Sequence, residues 1–219
     1  MTNISTIEDI MEKPAPQYYT PEEYLAMEET ADFKSEYYQG EIFAFAGGSL
    51  NHDRIAGNLY INLSLGLKGK KCEVFSSDIR VWIESQRLFT YPDVTVVCGK
   101  PGLYEKRNDT ITTPLLIVEV LSESTQNYDR GQKFFLYRAI ESLKEYVLVD
   151  QYQFQVEHFS KAEDGRWVLT EYHNAEGMLS IPRLGFRISL QDIYDKVEFS
   201  QAESKARKSK KAAKKRRSS

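Results

Sequence analysis

The chain has 219 residues, 41% hydrophobic and 28% charged, which suits one globular domain with a sizeable core. No run of eighteen apolar residues suggests a transmembrane helix, and MTNISTIEDIMEKPAPQYY carries early acids in place of the apolar stretch of a secretory signal, so the expected setting is cytoplasmic, with no membrane partner. Of 29 Lys/Arg and 32 Asp/Glu, nine and one respectively lie in residues 201–219, so that segment stands near +8 and the preceding 200 residues near −11.

In chain order, residues 1–17 read as a leader containing Pro14 and Pro16. TPEEYLAMEE then opens a helix, with Thr20 as N-cap, Pro21 at the first helical position and acids at Glu22 and Glu23. In SEYYQGEIFAFAG, Gln39-Gly40 between two strand-like runs predicts a hairpin turn. Ile55, Leu59, Leu63 and Leu67 recur at spacing four, a helix with one apolar face over 52–67.

Strand-like composition follows in CEVFSSDIRVWI and FTYPDVTVV, and LLIVEVLS is apolar enough for a strand buried on both faces. DRGQKFFLYRAI reads as a helix and EYVLVD as another buried strand. This β-α-β order predicts that the two strands are parallel or nearly adjacent in one sheet. Residues 152–175 read as an antiparallel hairpin turning at Glu163-Asp164-Gly165, and 181–195 close the domain. The expected class is α/β, a central mixed sheet flanked by helices, spanning 18–197. Residues 198–219 form a basic tail whose charge cannot be buried, and it is expected to be disordered. That tail could bind nucleic-acid phosphates or serve only solubility. Cys72 and Cys98 lack metal-ligand spacing and are expected as buried, reduced thiols.

The informative feature is a pair of acids. Asp93 opens a Val-rich strand after Tyr91-Pro92, and Glu119 interrupts LLIVEVL. A carboxylate in so apolar a strand is costly unless it is paired or bound to a cation. Two of them on neighbouring strands suit a hard cation such as Mg²⁺, with Mn²⁺ as substitute, because Mg²⁺ takes few carboxylates plus waters and phosphate. Lys133, on the helix after Glu119, could point back over them and stabilise charge developing on a phosphate; Tyr137 lies on its face at i+4. Glu36 could add a carboxylate from the N-terminal helical region, and His52, at the start of its helix, could act as acid or base. Plainer roles exist for each. Asp93 could cap a turn, Glu119 could form a structural ion pair with Lys133 or Arg130, and Tyr137 could simply pack. His52, His158 and His173 do not form a zinc motif, and neither a P-loop, a dinucleotide fingerprint nor a nucleophile elbow is present.

Tyr91-Pro92-Asp93-Val94, Ile117-Val118-Glu119-Val120-Leu121-Ser122, then Asp129, Lys133 and Tyr137, resemble the Uma-type restriction endonuclease family of the PD-(D/E)XK nuclease superfamily. Tyr19 to Tyr24, Glu36, Gly40-Glu41-Ile42 and His52 match its N-terminal pattern, so the resemblance spans about 18–197. It implies a restriction-endonuclease-like fold and a two-carboxylate metal site, with Asp93 as the PD aspartate and Glu119 as the acid of (D/E)XK. It also implies endonuclease action on DNA. The superfamily lysine stands two residues after that acid, where this chain has Leu121; in Uma-type sequences it stands on the following helix, which Lys133 fits. By analogy with the superfamily a homodimer is plausible, since cutting a duplex takes two sites. The alternative is a nuclease-fold module without activity that binds nucleic acid or a protein.

Overall fold

A computed structural model describes residues 17–44 and 47–199. The leader up to residue 16 and the tail from residue 200 lie outside the described residues.

The first helix, α1 (Pro21–Glu28), begins as its sequence dictates. Thr20 Oγ1 accepts from the Glu23 amide at 3.2 Å, while the Glu23 carboxylate accepts from the Thr20 amide at 2.7 Å, a closed capping box. Strands β1 (Ser35–Tyr38) and β2 (Glu41–Ala44) form the predicted hairpin, with Gln39 and Gly40 at φ 51° and 99° in its two-residue turn. Helix α2 (Leu50–Gly66) is capped by Ser49 and buries Ile55, Leu59 and Leu63. Each such burial stabilises by roughly 1.5–3 kcal/mol.

The stretch read as consecutive strands divides between two sheets. Strand β3 (Cys72–Ser76) and β4 (Arg80–Ile83) part at a turn, and β5 (Leu88–Thr90) and β6 (Val94–Cys98) part at Tyr91-Pro92-Asp93. Pro92 has no N–H to extend a ladder, so the chain leaves one sheet and enters the other there. After β7 (Thr110–Ile111) and β8 (Leu116–Leu121) come α3 (Gln126–Tyr128), a π-helical turn over Asp129–Lys133, and α4 (Phe134–Tyr137). The predicted single helix therefore carries an inserted π turn, which hydrophobic spacing does not reveal and which is frequent at functional sites. Ser122 Oγ accepts from the Thr125 amide at the start of this segment. The rest is β9 (Glu145–Asp150), β10 (Gln155–Lys161), β11 (Trp167–His173), β12 (Met178–Ile181), β13 (Phe186–Ser189) and α5 (Leu190–Ile193).

One sheet runs β2-β1-β5-β4-β7 and the other β11-β10-β9-β8-β6-β3, with β12-β13 a separate ribbon. The expected parallel pair is β8 with β9, and β10-β11 is the expected antiparallel hairpin. The six-stranded sheet is mixed and covered on both faces. Leu116, Val118 and Val120 of β8 pack with Ile55, Leu59 and Leu63 of α2. Ile117 and Leu121 face the other way, toward Phe134, Leu136 and Tyr137 and toward Val81, Ile83 and Leu88 of the first sheet. By strand alternation Glu119 belongs to this second face, beneath the segment that carries Lys133.

The cysteine expectation is corrected. Cys72 and Cys98 are directly opposed across β3 and β6, half-buried, and joined by a disulfide. Spacing of 26 residues in sequence hides this; antiparallel register creates it. No helix among the described residues is long and apolar enough to cross a membrane.

Candidate functional site

Strands β6 and β8 pair antiparallel with Val94 opposite Val118, and continuing that register by one residue sets Asp93 opposite Glu119. Directly opposed residues share a face. Both acids are buried, and both line a cleft of about 730 Å³ together with Glu36, His52, Asp129 and Lys133. The cleft sits at the seam between the two sheets. β1 supplies Glu36, β8 of the six-stranded sheet supplies Glu119, and Asp93 stands one residue before β6 of that sheet.

Lys133, 5% exposed, reaches into this seam from the end of the π turn. Its Nζ lies 3.0 Å from Glu119 Oε1, 3.3 Å from Glu36 Oε1 and 3.9 Å from Asp129 Oδ1. The Tyr137 hydroxyl donates to the same Glu119 oxygen at 2.7 Å. Glu36 lies within β1 rather than in the helical region before it, and its Oε1 accepts from the Thr90 hydroxyl and, at 3.4 Å, from the Tyr91 amide. Asp93 Oδ2 accepts from the Val120 amide at 2.7 Å and lies 3.3 Å from His52 Nε2. The structure thus brings together all six side chains singled out in the sequence: Glu36, His52, Asp93, Glu119, Lys133 and Tyr137. Arg130, the other partner considered for Glu119, pairs with Glu157 at 2.8 Å instead.

Asp129, to which the sequence pattern assigns no role, is a fourth carboxylate here; its i, i+4 spacing to Lys133 was the available signal. Gln151 is a second addition. It is buried, donates to the Leu121 carbonyl at 2.9 Å, and accepts from the hydroxyl of Ser49, the residue that caps α2. No spacing in the sequence links Ser49 to Gln151. Gly48 leaves room for the histidine, since a Cβ there would stand 2.8 Å from His52 Nδ1.

The electrostatics follow from crowding acids around one lysine. Burial is the largest cause of a Glu119 pKa pushed up to about 8; Lys133 opposes it, and Asp93 and Asp129 add to it. Asp129 is also raised, first by burial. Burial pulls the Lys133 ammonium down, but Glu119, Glu36 and Asp129 hold it well above the ordinary lysine range. His52 behaves alike: burial lowers it, and the hydrogen bond and charge of Asp93 raise it above 6.5. Even with Lys133 and His52 charged, the five carboxylates that line the cleft leave it short of positive charge, and Glu119 keeps a proton to compensate.

That deficit bears on a divalent cation. Among the described residues, the hydrogen bonds and ion pairs of these two acids fall on Oδ2 of Asp93 and Oε1 of Glu119, leaving Oδ1 and Oε2 for a ligand. Among the described residues no three His, Cys, Asp or Glu side chains form a metal-holding group. A two-carboxylate donor set fits Mg²⁺, which completes its octahedron with waters and substrate oxygens, better than it fits an ion caged by protein alone. A second cleft of about 950 Å³, walled by Trp82, Tyr104 and Ile140, contains none of these side chains.

Comparison with known proteins agrees with this architecture. An uncharacterized protein of Synechocystis sp., sll1609, is 45% identical over 159 residues, covering 72% of this chain and 90% of its own. A second, slr1290, is 38% identical over 180 residues, covering 82% and 93%. A crystal structure described as "a putative nuclease belonging to DUF820", from Anabaena variabilis, superposes with a TM-score of 0.64 at 16% identity, over 82% of this chain and 99% of that one, a likeness of fold. Residues 21–191 match the Uma2 family, described as "Putative restriction endonuclease", and with most of its length inside that match this chain belongs to that family.

Proposed function

We propose that this protein is a nuclease that hydrolyses phosphodiester bonds of DNA with Mg²⁺, or with Mn²⁺ in its place. The observation that carries the reading is the convergence of Asp93, Glu119 and Lys133 at one end of a cleft with a deficit of positive charge. Asp93 and Glu119 would hold the ion through the oxygens left free by their protein partners. When bound it supplies Lewis-acid polarisation of the phosphate and a water of lowered pKa. Lys133 stabilises negative charge developing on the phosphate, and Glu36 and Asp129 keep it charged and aimed. Tyr137 fixes the orientation of Glu119, as outer partners of metal-binding carboxylates do. His52 holds its proton more firmly than a free imidazole and delivers it to the leaving oxygen. A cut through both strands takes two such sites, which makes a homodimer the expected working form.

One observation favours a second reading, a binding module without cleavage. Lys133 is bonded to carboxylates on several sides, and Leu121, at the superfamily's usual lysine position, is packed in the core. Supercoiled plasmid incubated with Mg²⁺ or Mn²⁺ separates the two. Wild type is expected to nick and linearise it, while Asp93→Asn and Glu119→Gln do not. Undiminished cutting by Asp93→Asn would sink the site assignment. Absence of Mn²⁺ binding by calorimetry at millimolar concentration would favour the binding module.

A further inference from the structure

The outer strands of the two larger sheets differ in length: two residues in β7, four in β2, five in β3 and seven in β11. An unpaired outer strand offers a row of N–H and C=O groups, and natural edges are blunted by lysine, proline, a bulge or a cover. Strand β11, Trp167–His173, contains no lysine and no proline, and none of its residues has a positive φ. No described strand pairs with its outer side. At its middle, Val168 is 52% and Leu169 45% exposed, on opposite faces of the sheet.

Hydrogen bonds at the two ends of the β10–β11 ladder fix which backbone groups point outward. In an antiparallel pair the N–H and C=O of alternate residues face the partner strand. The Ala162 amide donates to the Arg166 carbonyl at 2.8 Å, and at the far end the Asn174 amide donates to the Phe154 carbonyl at 3.4 Å. Both contacts continue the β10–β11 register, so Val168, Thr170 and Tyr172 turn their backbone groups toward β10. Trp167, Leu169, Glu171 and His173 turn theirs away. A second β11, related by a two-fold axis normal to the sheet, keeps each side chain on its own face. Directly opposed residues share a face, so such a pairing centres on one residue. Centred on Glu171 it would oppose like carboxylates, which is destabilising. Centred on Thr170 it would set Glu171 against Leu169, and centred on Val168 it would leave Glu171 facing the turn at Gly165. Centred on Leu169, it sets the partner's Glu171 opposite Trp167, beside Lys161, whose Nζ lies 5.9 Å from the Trp167 ring centroid.

We propose that β11 is the surface through which two copies of this chain pair, Leu169 against the partner's Leu169, joining two six-stranded sheets into one continuous sheet. The ladder binds the outward groups of Trp167, Leu169 and Glu171 to those of the partner, and Lys161 meets the partner's Glu171 across the seam. Val168 and Leu169 are covered, one on each face. A contact through one strand is at the small end of specific interfaces, below about 1,200 Å² in total, so association is reversible and follows concentration. Its bearing on a cut through both strands of a duplex rests on the nuclease reading; the pairing itself does not.

Sedimentation velocity of the full chain from about 2 to 200 µM is expected to show a dimer that grows with concentration. Leu169→Lys sets two charges face to face and is expected to raise the dimer Kd about tenfold or more, with the far-UV circular dichroism unchanged. Glu171→Lys is expected to weaken the dimer, and adding Lys161→Glu to restore it. Both native cysteines are bonded to each other, so one introduced cysteine reports proximity by itself. Opposed Leu169 Cα atoms would stand about 5.5 Å apart, within disulfide reach, while Val168 and Thr170 would stand about 7–8 Å from their own copies, beyond it. Under a mild oxidant Leu169→Cys is expected to give a covalent dimer, and Val168→Cys and Thr170→Cys are not. A monomer at every concentration would overturn the proposal, as would a dimer indifferent to Leu169→Lys, cross-linking preferred at Val168 or Thr170, or no rescue by Lys161→Glu. A monomer whose Leu169 and Glu171 amides resist hydrogen exchange would mean that another part of the same chain covers the edge, and would overturn it equally. None of these measurements reads cleavage, so a failed plasmid assay counts against nuclease activity alone.

Discussion

Lys133 Nζ lies 3.0 Å from Glu119 Oε1, and each side chain is about 5% exposed. A buried pair of this kind is costly to break from one side, because the partner left behind keeps its charge out of water. Lys133→Met keeps the side chain's apolar stem and removes the only lysine facing Glu36, Glu119 and Asp129 among the described residues. It is expected to destabilise the metal-free protein by about 3 kcal/mol in urea denaturation. Millimolar Mn²⁺ should recover part of that loss by neutralising the same carboxylates.

Glu119→Gln is expected to act in the opposite sense on the metal-free fold. Glutamine keeps an oxygen for Tyr137 and Lys133 and removes a carboxyl that must stay protonated to remain buried. Glu119 holds its proton up to about pH 8 in the folded state, against about 4.5 when free. A raised folded pKa contributes stability that is present below the unfolded value and lost as pH rises through the folded one. Wild type should therefore lose stability between about pH 4.5 and 8, and Glu119→Gln should flatten that slope. Thermal melts across this range check it, and the same variant should lose the rise in Tm that Mn²⁺ gives wild type.

Away from the cleft, Asp109 bridges two arginines, the buried Arg80 and Arg107, which lies 2.9 Å away. Burial would raise its pKa, but Arg107, Thr110 and Arg80 hold it down at about 2. A depressed folded pKa contributes stability present above the unfolded value, near 3.8, and lost as pH falls toward 2. Asp109→Asn should cost about 2 kcal/mol at neutral pH, because Arg80 loses its carboxylate partner. The cost should shrink in acid melts over that window.

The Cys72–Cys98 bond closes a loop spanning 26 residues that contains β4, β5 and Asp93. Replacing both cysteines by serine should lower stability by about 3 kcal/mol, chiefly by freeing the unfolded chain. Intact mass before and after a dithiol reductant, followed by a melt of each form, reads this directly. Identical melts would show that the two strands hold their register without the bond.

Asp93 and Glu119 were legible in the sequence because an acid inside an apolar strand breaks a pattern that burial enforces. Lys133 and Tyr137 were legible because helical spacing puts i and i+4 on one face. The β8–β9 parallel pair followed from chain order and handedness. The division into two sheets did not, because Pro92 interrupts a run whose flanks both look like strand. The disulfide, the Thr90–Glu36 contact and the Ser49–Gln151 bond depend on which strands meet, and no local property of those residues encodes it. Asp129 lay in between, its spacing visible and its burial beneath Lys133 not.

Thr90 ends β5 in one sheet and Val94 opens β6 in the other, yet they are only four residues apart in the chain. Their Cα atoms can separate by no more than about 14 Å. The two walls of the cleft are therefore tethered at its base like the covers of a book at the spine. Two further short crossings, Ser76 to Arg80 and Ile111 to Leu116, join the same two sheets. The covers are thus bound at three points, and the carboxylates beside Tyr91-Pro92 keep their places whatever the outer loops do.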